Sequence, residues 1–204
     1  MAFRFPSSGD QKLIQIVDAA LADTTRRSKG GLVCRKGCTP CCIGVFAINQ
    51  LDAARLRRGL AQLAEREPER AAAVRQRARD SVARLSRDFP GDPATGLLGA
   101  TKTERSRFED FANDEPCPAL DLDAGTCDLY DSRPMTCRTF GPPVRVDGGG
   151  VGVCELCYHG FSETEIAACE MIPDPEDLES GLLKEVEKGT GRCGDTIIAF
   201  PLAA

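Results

Sequence analysis

Four thiols fall within nine residues in the string Cys34-x3-Cys38-x2-Cys41-Cys42, and no ordinary hydrophobic core needs them there. Closely spaced thiolates repel one another, so the string is tenable as a set of ligands to a cation or as a store of disulfides. The chain carries eleven cysteines in 204 residues, an odd number that internal pairing cannot consume. Its first residues, Met-Ala-Phe-Arg-Phe-Pro-Ser-Ser, show no apolar h-region and no small-residue cleavage site. That predicts a cytoplasmic chain in a reducing compartment, where dense cysteines point to metal. With a single histidine, His159, a Cys2His2 finger and a three-histidine hydrolytic site are excluded by inventory. Any metal is held mainly by thiolate.

The rest of the chain reads as a helical scaffold around this irregular, cysteine-rich centre, mainly α with minor strands. The expectation is a single domain over 1–204 with a cysteine-cluster region at 34–157. Leu13, Ile14, Val17, Ala20 and Leu21 recur at helical spacing, and that helix should stop near Gly30-Gly31. Val45 to Ile48 alternates as a short strand. Asn49 is placed to cap a helix over 50–66, and Pro68 suits the first turn of a second over 68–88. Residues 89–99 read as a loop, and Phe108 with Phe111 hints at a short helix. Asp147-Gly-Gly-Gly suggests a hairpin. Ser162-x-x-Glu165 makes a capping box, a last helix is expected over 175–188, and Ile197 to Phe200 as a short strand. No run approaches the roughly 18 apolar residues of a membrane helix.

A second series of cysteines follows the first: Cys117, Cys127, Cys137, then Cys154-x2-Cys157. Each lies beside a turn-forming proline or glycine, as expected of loops that bring single ligands to a common centre. A free cysteine is also a common small buried hydrophobe. That reading competes for Cys154 and Cys157, and it is the preferred one for Cys169 and Cys193. Adjacent Cys41 and Cys42 leave the backbone in different directions, which suggests two metal sites sharing one loop or a polynuclear cluster with bridging sulfur. Arg133 and Arg138 flank Cys137. They could donate to cluster sulfurs or hold an anionic cofactor, or form structural ion pairs with Asp121, Asp128 or Asp131. Tyr130 is expected to pack beside the site, and His159 to be a surface or supporting residue.

Cys34/Cys38/Cys41-Cys42, Cys117-Pro-Ala-Leu-Asp and Cys127-Asp-Leu-Tyr-Asp-Ser-Arg-Pro-Met-Thr-Cys137-Arg resemble the YkgJ-like cysteine-cluster (CxxCxxCC) family. That family is described as a zinc- or iron-chelating domain and also as iron–sulfur oxidoreductases. It is similar to the cysteine-rich part of the flagellin lysine N-methylases. The likeness covers mainly residues 34–140, and the first gap departs from the pattern, with Arg35 where the motif would put cysteine. The resemblance implies that Cys34, Cys38, Cys41, Cys42, Cys117, Cys127 and Cys137 form the metal-binding set.

Iron–sulfur clusters take four cysteines, often with proline directly after a ligand, as in Cys117-Pro118; seven to nine cysteines would also furnish two closed zinc sites. The first reading is an iron–sulfur protein with redox or methyl-transfer chemistry. The alternative is a zinc-structured interaction or chelating module without catalysis, for which a protein partner is open. The spacing Cys34-x3-Cys38-x2-Cys41 also matches the radical S-adenosylmethionine signature, but Pro40 stands where an aromatic residue is usual and the strand–helix alternation of that fold is missing. Residues 1–88 carry 17 Lys/Arg against 9 Asp/Glu, the remainder 9 against 22. Such a split can mark a nucleic-acid face or two parts of one protein that complement each other. No aromatic residue is interleaved with the arginines of 66–87, which argues against nucleic acid.

Overall fold

A computed structural model describes residues 5–146 and 148–204. It is 49% helix and 9% strand, which makes the chain mainly α with minor strands, as expected. In chain order the elements are α1 (Ser7–Arg27), a 3-10 turn (Pro40–Cys42), β1 (Ala47–Ile48), α2 (Gln50–Arg66) and α3 (Pro68–Leu85). Then come β2 (Gly91–Asp92), β3 (Leu97–Leu98), α4 (Lys102–Glu109), β4 (Leu120–Asp121), β5 (Thr126–Cys127) and a second 3-10 turn (Tyr130–Ser132). They are followed by α5 (Met135–Thr139), β6 (Val144–Arg145), β7 (Val151–Gly152), α6 (Glu163–Ala167), α7 (Leu178–Thr190), β8 (Thr196–Ile197) and α8 (Ala199–Ala203). Among the described residues no helix is long and apolar enough to cross a membrane. The chain divides into two compact units, Met1–Arg35 with Met135–Gly189, and Lys36–Pro134 with Thr190–Ala204.

The second of these units is organised by α2, α3 and α8. Asn49 caps α2 by accepting the Asp52 N–H at 2.9 Å, and Pro68 opens α3. Both start where local chemistry puts them. Leu56, Leu60 and Leu63 of α2 and Ala71, Val74, Ala78 and Ser81 of α3 are buried at helical spacing, and Ala199, Pro201 and Leu202 of α8 complete this core. Asp52 and Arg55 form an ion pair buried within α2. The expected terminal strand is shorter than the sequence suggests. Only Thr196–Ile197 pairs with β1, Ile48 lying opposite Thr196, and the chain then turns into α8 to bury its apolar end. Phe89 packs edge-on against Phe111 and Phe200, with centroids 5.9 and 4.9 Å apart. The stretch expected as a loop at 89–99 folds back as the β2–β3 hairpin. Helix α4 begins well before Phe108, because Thr101 and Glu104 form a capping box that the reading of the aromatics passed over.

In the other unit α1 buries Leu13, Val17 and Thr24, and stops at Arg27, three residues before the glycine pair. Arg27 reaches across to the carbonyls of Ala168 and Glu170, at 2.6 and 2.9 Å, beyond the end of α6. Helix α6 carries the expected capping box of Ser162 and Glu165. Strands β6 and β7 form a hairpin with Val144 opposite Gly152. The turn residue Asp147 of the expected hairpin lies outside the described residues, as do Met1 to Arg4 at the N-terminus. Gly31 packs so closely on Tyr158 and Phe161 that a Cβ there would sit 2.8 Å from the tyrosine ring.

Candidate metal centre

Within the unit of α2 and α3, two loops run antiparallel and bring cysteines together. Gly44, at φ +97°, donates its N–H to the Glu115 carbonyl at 2.8 Å, a left-handed conformation that glycine adopts without strain. Ile43 bridges Pro116, and the Cys117 N–H bonds the Cys42 carbonyl at 2.7 Å. The β4–β5 hairpin then returns the chain, with Leu120 opposite Cys127. Its turn is closed by the Asp121 carboxylate, which accepts the N–H groups of Asp123 and Ala124 at 3.0 Å. Through this chain of backbone pairings Cys41, Cys42, Cys117 and Cys127 come within electrostatic reach of one another.

The sulfurs sit in a hydrogen-bonding cradle. The Cys117 thiol is pushed up to about 12, first by burial, while the N–H groups of Ala119 and Leu120 pull against that shift by donating to its sulfur. Burial likewise raises Cys127, against donation from the Leu129 N–H and the nearby Arg133 charge. Donation from the Cys42 thiol draws Cys41 down to about 6, and Cys42 itself is raised as the donor of that bond. The vicinal pair therefore faces itself, although its members diverge from the backbone, because the 3-10 turn of Pro40–Cys42 folds them tightly. Cys38 is half-buried in the same loop.

Arg133 lies with its guanidinium 4.0 Å from the centroid of Tyr130 and donates to the Tyr130 carbonyl at 3.0 Å, and its charge reaches both Cys41 and Cys127. Tyr130 packs against Arg133 and lies 5.5 Å from Lys36. Three arginines of α3 brace the segment that carries these cysteines. Arg84 binds Glu115 at 2.7 Å, Arg77 binds the Pro118 carbonyl at 2.9 Å and also Asp128, and Arg70 binds Asp128 at 2.6 Å. Positions 70, 77 and 84 lie on one stripe of a helix, and they clamp the whole segment from Glu115 to Asp128 that carries two of the cysteines. The sevenfold spacing was the available signal. The basic first half and the acidic remainder of the sequence thus complement each other within this unit.

The remaining candidates belong to the unit of α1. Cys34 and Cys137, which the resemblance groups with the other five, lie there. Cys34 and Cys154 pack against a cluster of Leu32, Cys157, Tyr158 and Cys169. The Cys157 thiol is raised by burial, accepts the N–H groups of Val33 and Cys34, and faces Cys154. Gly141 comes so near that a Cβ there would lie 2.8 Å from the Cys34 sulfur. Cys169 is buried beside the Tyr158 hydroxyl, which Ser28 also engages. Arg138, its side chain 1% exposed, binds Asp18 of α1 at 2.6 Å, so its guanidinium serves at least one structural ion pair. Cys193 and His159 are exposed.

Four thiols, three backbone N–H groups aimed at two of the sulfurs and an arginine beside them fit the chemistry of a thiolate-bound metal. Ser81, 1% exposed, has a hydroxyl without a partner among the described residues and lines a small cavity together with Cys117. An unsatisfied buried hydroxyl costs about 1–3 kcal/mol, so Ser81→Ala is expected to stabilise the metal-free chain by about 1 kcal/mol in urea unfolding. An unchanged or lower midpoint would show the hydroxyl satisfied by water. Among the described residues no three His, Cys, Asp or Glu side chains stand in ligating geometry.

The profile of the CxxCxxCC family, described as "Putative zinc- or iron-chelating domain", matches residues 33–147. Searches of the curated proteins and of the solved structures find no match.

Proposed function

The chain belongs to the CxxCxxCC family, and on that premise we propose that Cys41, Cys42, Cys117 and Cys127, with Cys38 in the same loop, hold an iron–sulfur cluster used in redox or methyl-transfer chemistry. The observation that carries this reading is the convergence of four thiols from two paired loops, with N–H donors on Cys117 and Cys127. Four is the number of cysteines such clusters take, and hydrogen bonds to sulfur are among the features that set their potential. A cysteine side chain has one rotatable bond before its sulfur, so closing the thiols on a metal would go through rotation about that bond and loss of their protons. Arg133 offsets the negative charge that then accumulates around Cys41 and Cys127. A bound cluster would supply one-electron transfer.

Zinc is the second reading, because the same four thiolates meet the needs of a closed tetrahedral site. All eleven cysteines are free thiols, which fits a reducing compartment.

Metal and acid-labile sulfide, counted per chain on protein purified without oxygen, test this directly. Iron with matching sulfide and absorbance near about 400 nm is expected. Stoichiometric zinc without sulfide or colour would replace the redox reading with a structural one, and a chain with neither metal would overturn both.

A further inference from the structure

A cavity of about 540 Å³ opens between the last turns of α2 and residues 126–132, and Cys127 forms part of its wall. Its volume lies within the range of small-ligand sites. The charged side chains of its wall balance in number, Lys36, Arg66 and Arg70 against Glu67, Asp128 and Asp131, but they are unevenly paired. Asp128, with its side chain 1% exposed, has both carboxylate oxygens taken by Arg70 and Arg77. Glu67 accepts from Arg70 at 2.9 Å. Asp131, the remaining carboxylate of the wall, also has an interaction of its own.

Lys36 and Arg66 are left without a carboxylate partner among the described residues. Arg66 bonds only the Gln62 carbonyl of its own helix, at 3.3 Å, and Lys36 stands 5.5 Å from the centre of the Tyr130 ring. The Gln62 amide and the Tyr130 hydroxyl, both on the wall, carry no hydrogen bond to another described residue. Donors are therefore in excess, two of them cationic, around a space with an aromatic face. An oxyanion answers all of these, because carboxylate and phosphate accept several charge-assisted hydrogen bonds at once.

We propose that this cleft binds a small organic anion, a carboxylate or a phosphate, between Lys36 and Arg66, with its body along Tyr130 and its inner end at Cys127. Binding needs no metal. Its meaning as a substrate or cofactor port rests on the reading of Cys127 as a metal ligand, since the bound anion would end beside the cluster.

Titration of the full chain with succinate and, separately, with inorganic phosphate at low ionic strength, followed by calorimetry and by amide chemical shifts, tests the proposal. Saturable binding of at least one anion is expected, perturbing the amides of residues 126–132 and weakening as salt screens the charges. Lys36→Ala and Arg66→Ala should each weaken it about tenfold, and the double variant should abolish it. Both side chains are exposed, so unchanged circular dichroism is expected of the variants. Succinate alone binding assigns a carboxylate, and phosphate alone a phosphate. Binding of neither, or binding indifferent to the double variant, overturns the cleft even if the chain holds iron or zinc. Anion binding by a chain that holds no metal would keep the cleft and overturn the metal reading.

Discussion

Serine in place of Cys117 or Cys127 is expected to leave the purified chain with less than about a tenth of the metal of the unaltered protein, because each removes one thiolate from a four-ligand set and oxygen is a poor substitute for soft metals. Both sulfurs accept backbone N–H groups in turns closed by their own segment, so the loop geometry should survive the exchange and the loss will be one of ligation. Cys193→Ser is the control. Its thiol is exposed, and its replacement should leave metal content unchanged. Cys157→Ser probes the unit of α1: full metal retention would exclude Cys157 as a ligand, while a partial loss would assign metal to that unit as well. Retention of full metal by both the Cys117 and Cys127 variants would remove the centre proposed here. The measurement is elemental analysis per chain, with circular dichroism to show that each variant is folded.

Asp128→Ala should be the most damaging substitution among the ion pairs that tie α3 to the cysteine-bearing segment. Its carboxylate is almost wholly buried, receives Arg70 at 2.6 Å and Arg77, and follows directly on Cys127, while its own N–H bonds the Ala119 carbonyl at 2.8 Å. Removing the acid leaves two guanidinium groups facing each other without the charge that joins them. An exposed pair would be worth less than about 1 kcal/mol, and breaking a buried one costs about 3–5 kcal/mol. The arginines here are partly exposed, at 40% and 31%, which places the expected cost between these limits, at about 2–4 kcal/mol in urea unfolding of the metal-free chain. Asp128→Asn keeps the volume and one acceptor and should recover part of it. The alanine variant should also release metal more readily, since the clamp fixes the strand that carries Cys127. A loss below about 0.5 kcal/mol would mean that the α3 stripe decorates the segment rather than holding it.

Much of the scaffold is legible locally. Asn49, Pro68 and the Ser162–Glu165 box mark helix starts with groups three or fewer residues from the backbone they serve, so no distant contact is needed to read them. Where two local signals compete, the element's bounds are not legible from either alone. The capping box at Thr101 sets the start of α4, which the aromatic spacing alone does not show. Burial of Ala199, Pro201 and Leu202 turns the expected end strand into a helix, an outcome decided by α2 and α3 rather than by the segment itself.

The sequence by itself determined the chemistry: eleven thiols, one histidine and the family string leave thiolate-bound metal as the economical reading. The tertiary structure alone decided which thiols meet. Cys42 and Cys117 are joined by backbone pairing of loops 75 residues apart, and Arg70 finds Asp128 across 58. Spacing within a loop is written in the chain, because a few bonds fix it. Contact between distant loops is not, because it depends on how the helices that carry them pack, and that is a balance of burial over the whole unit.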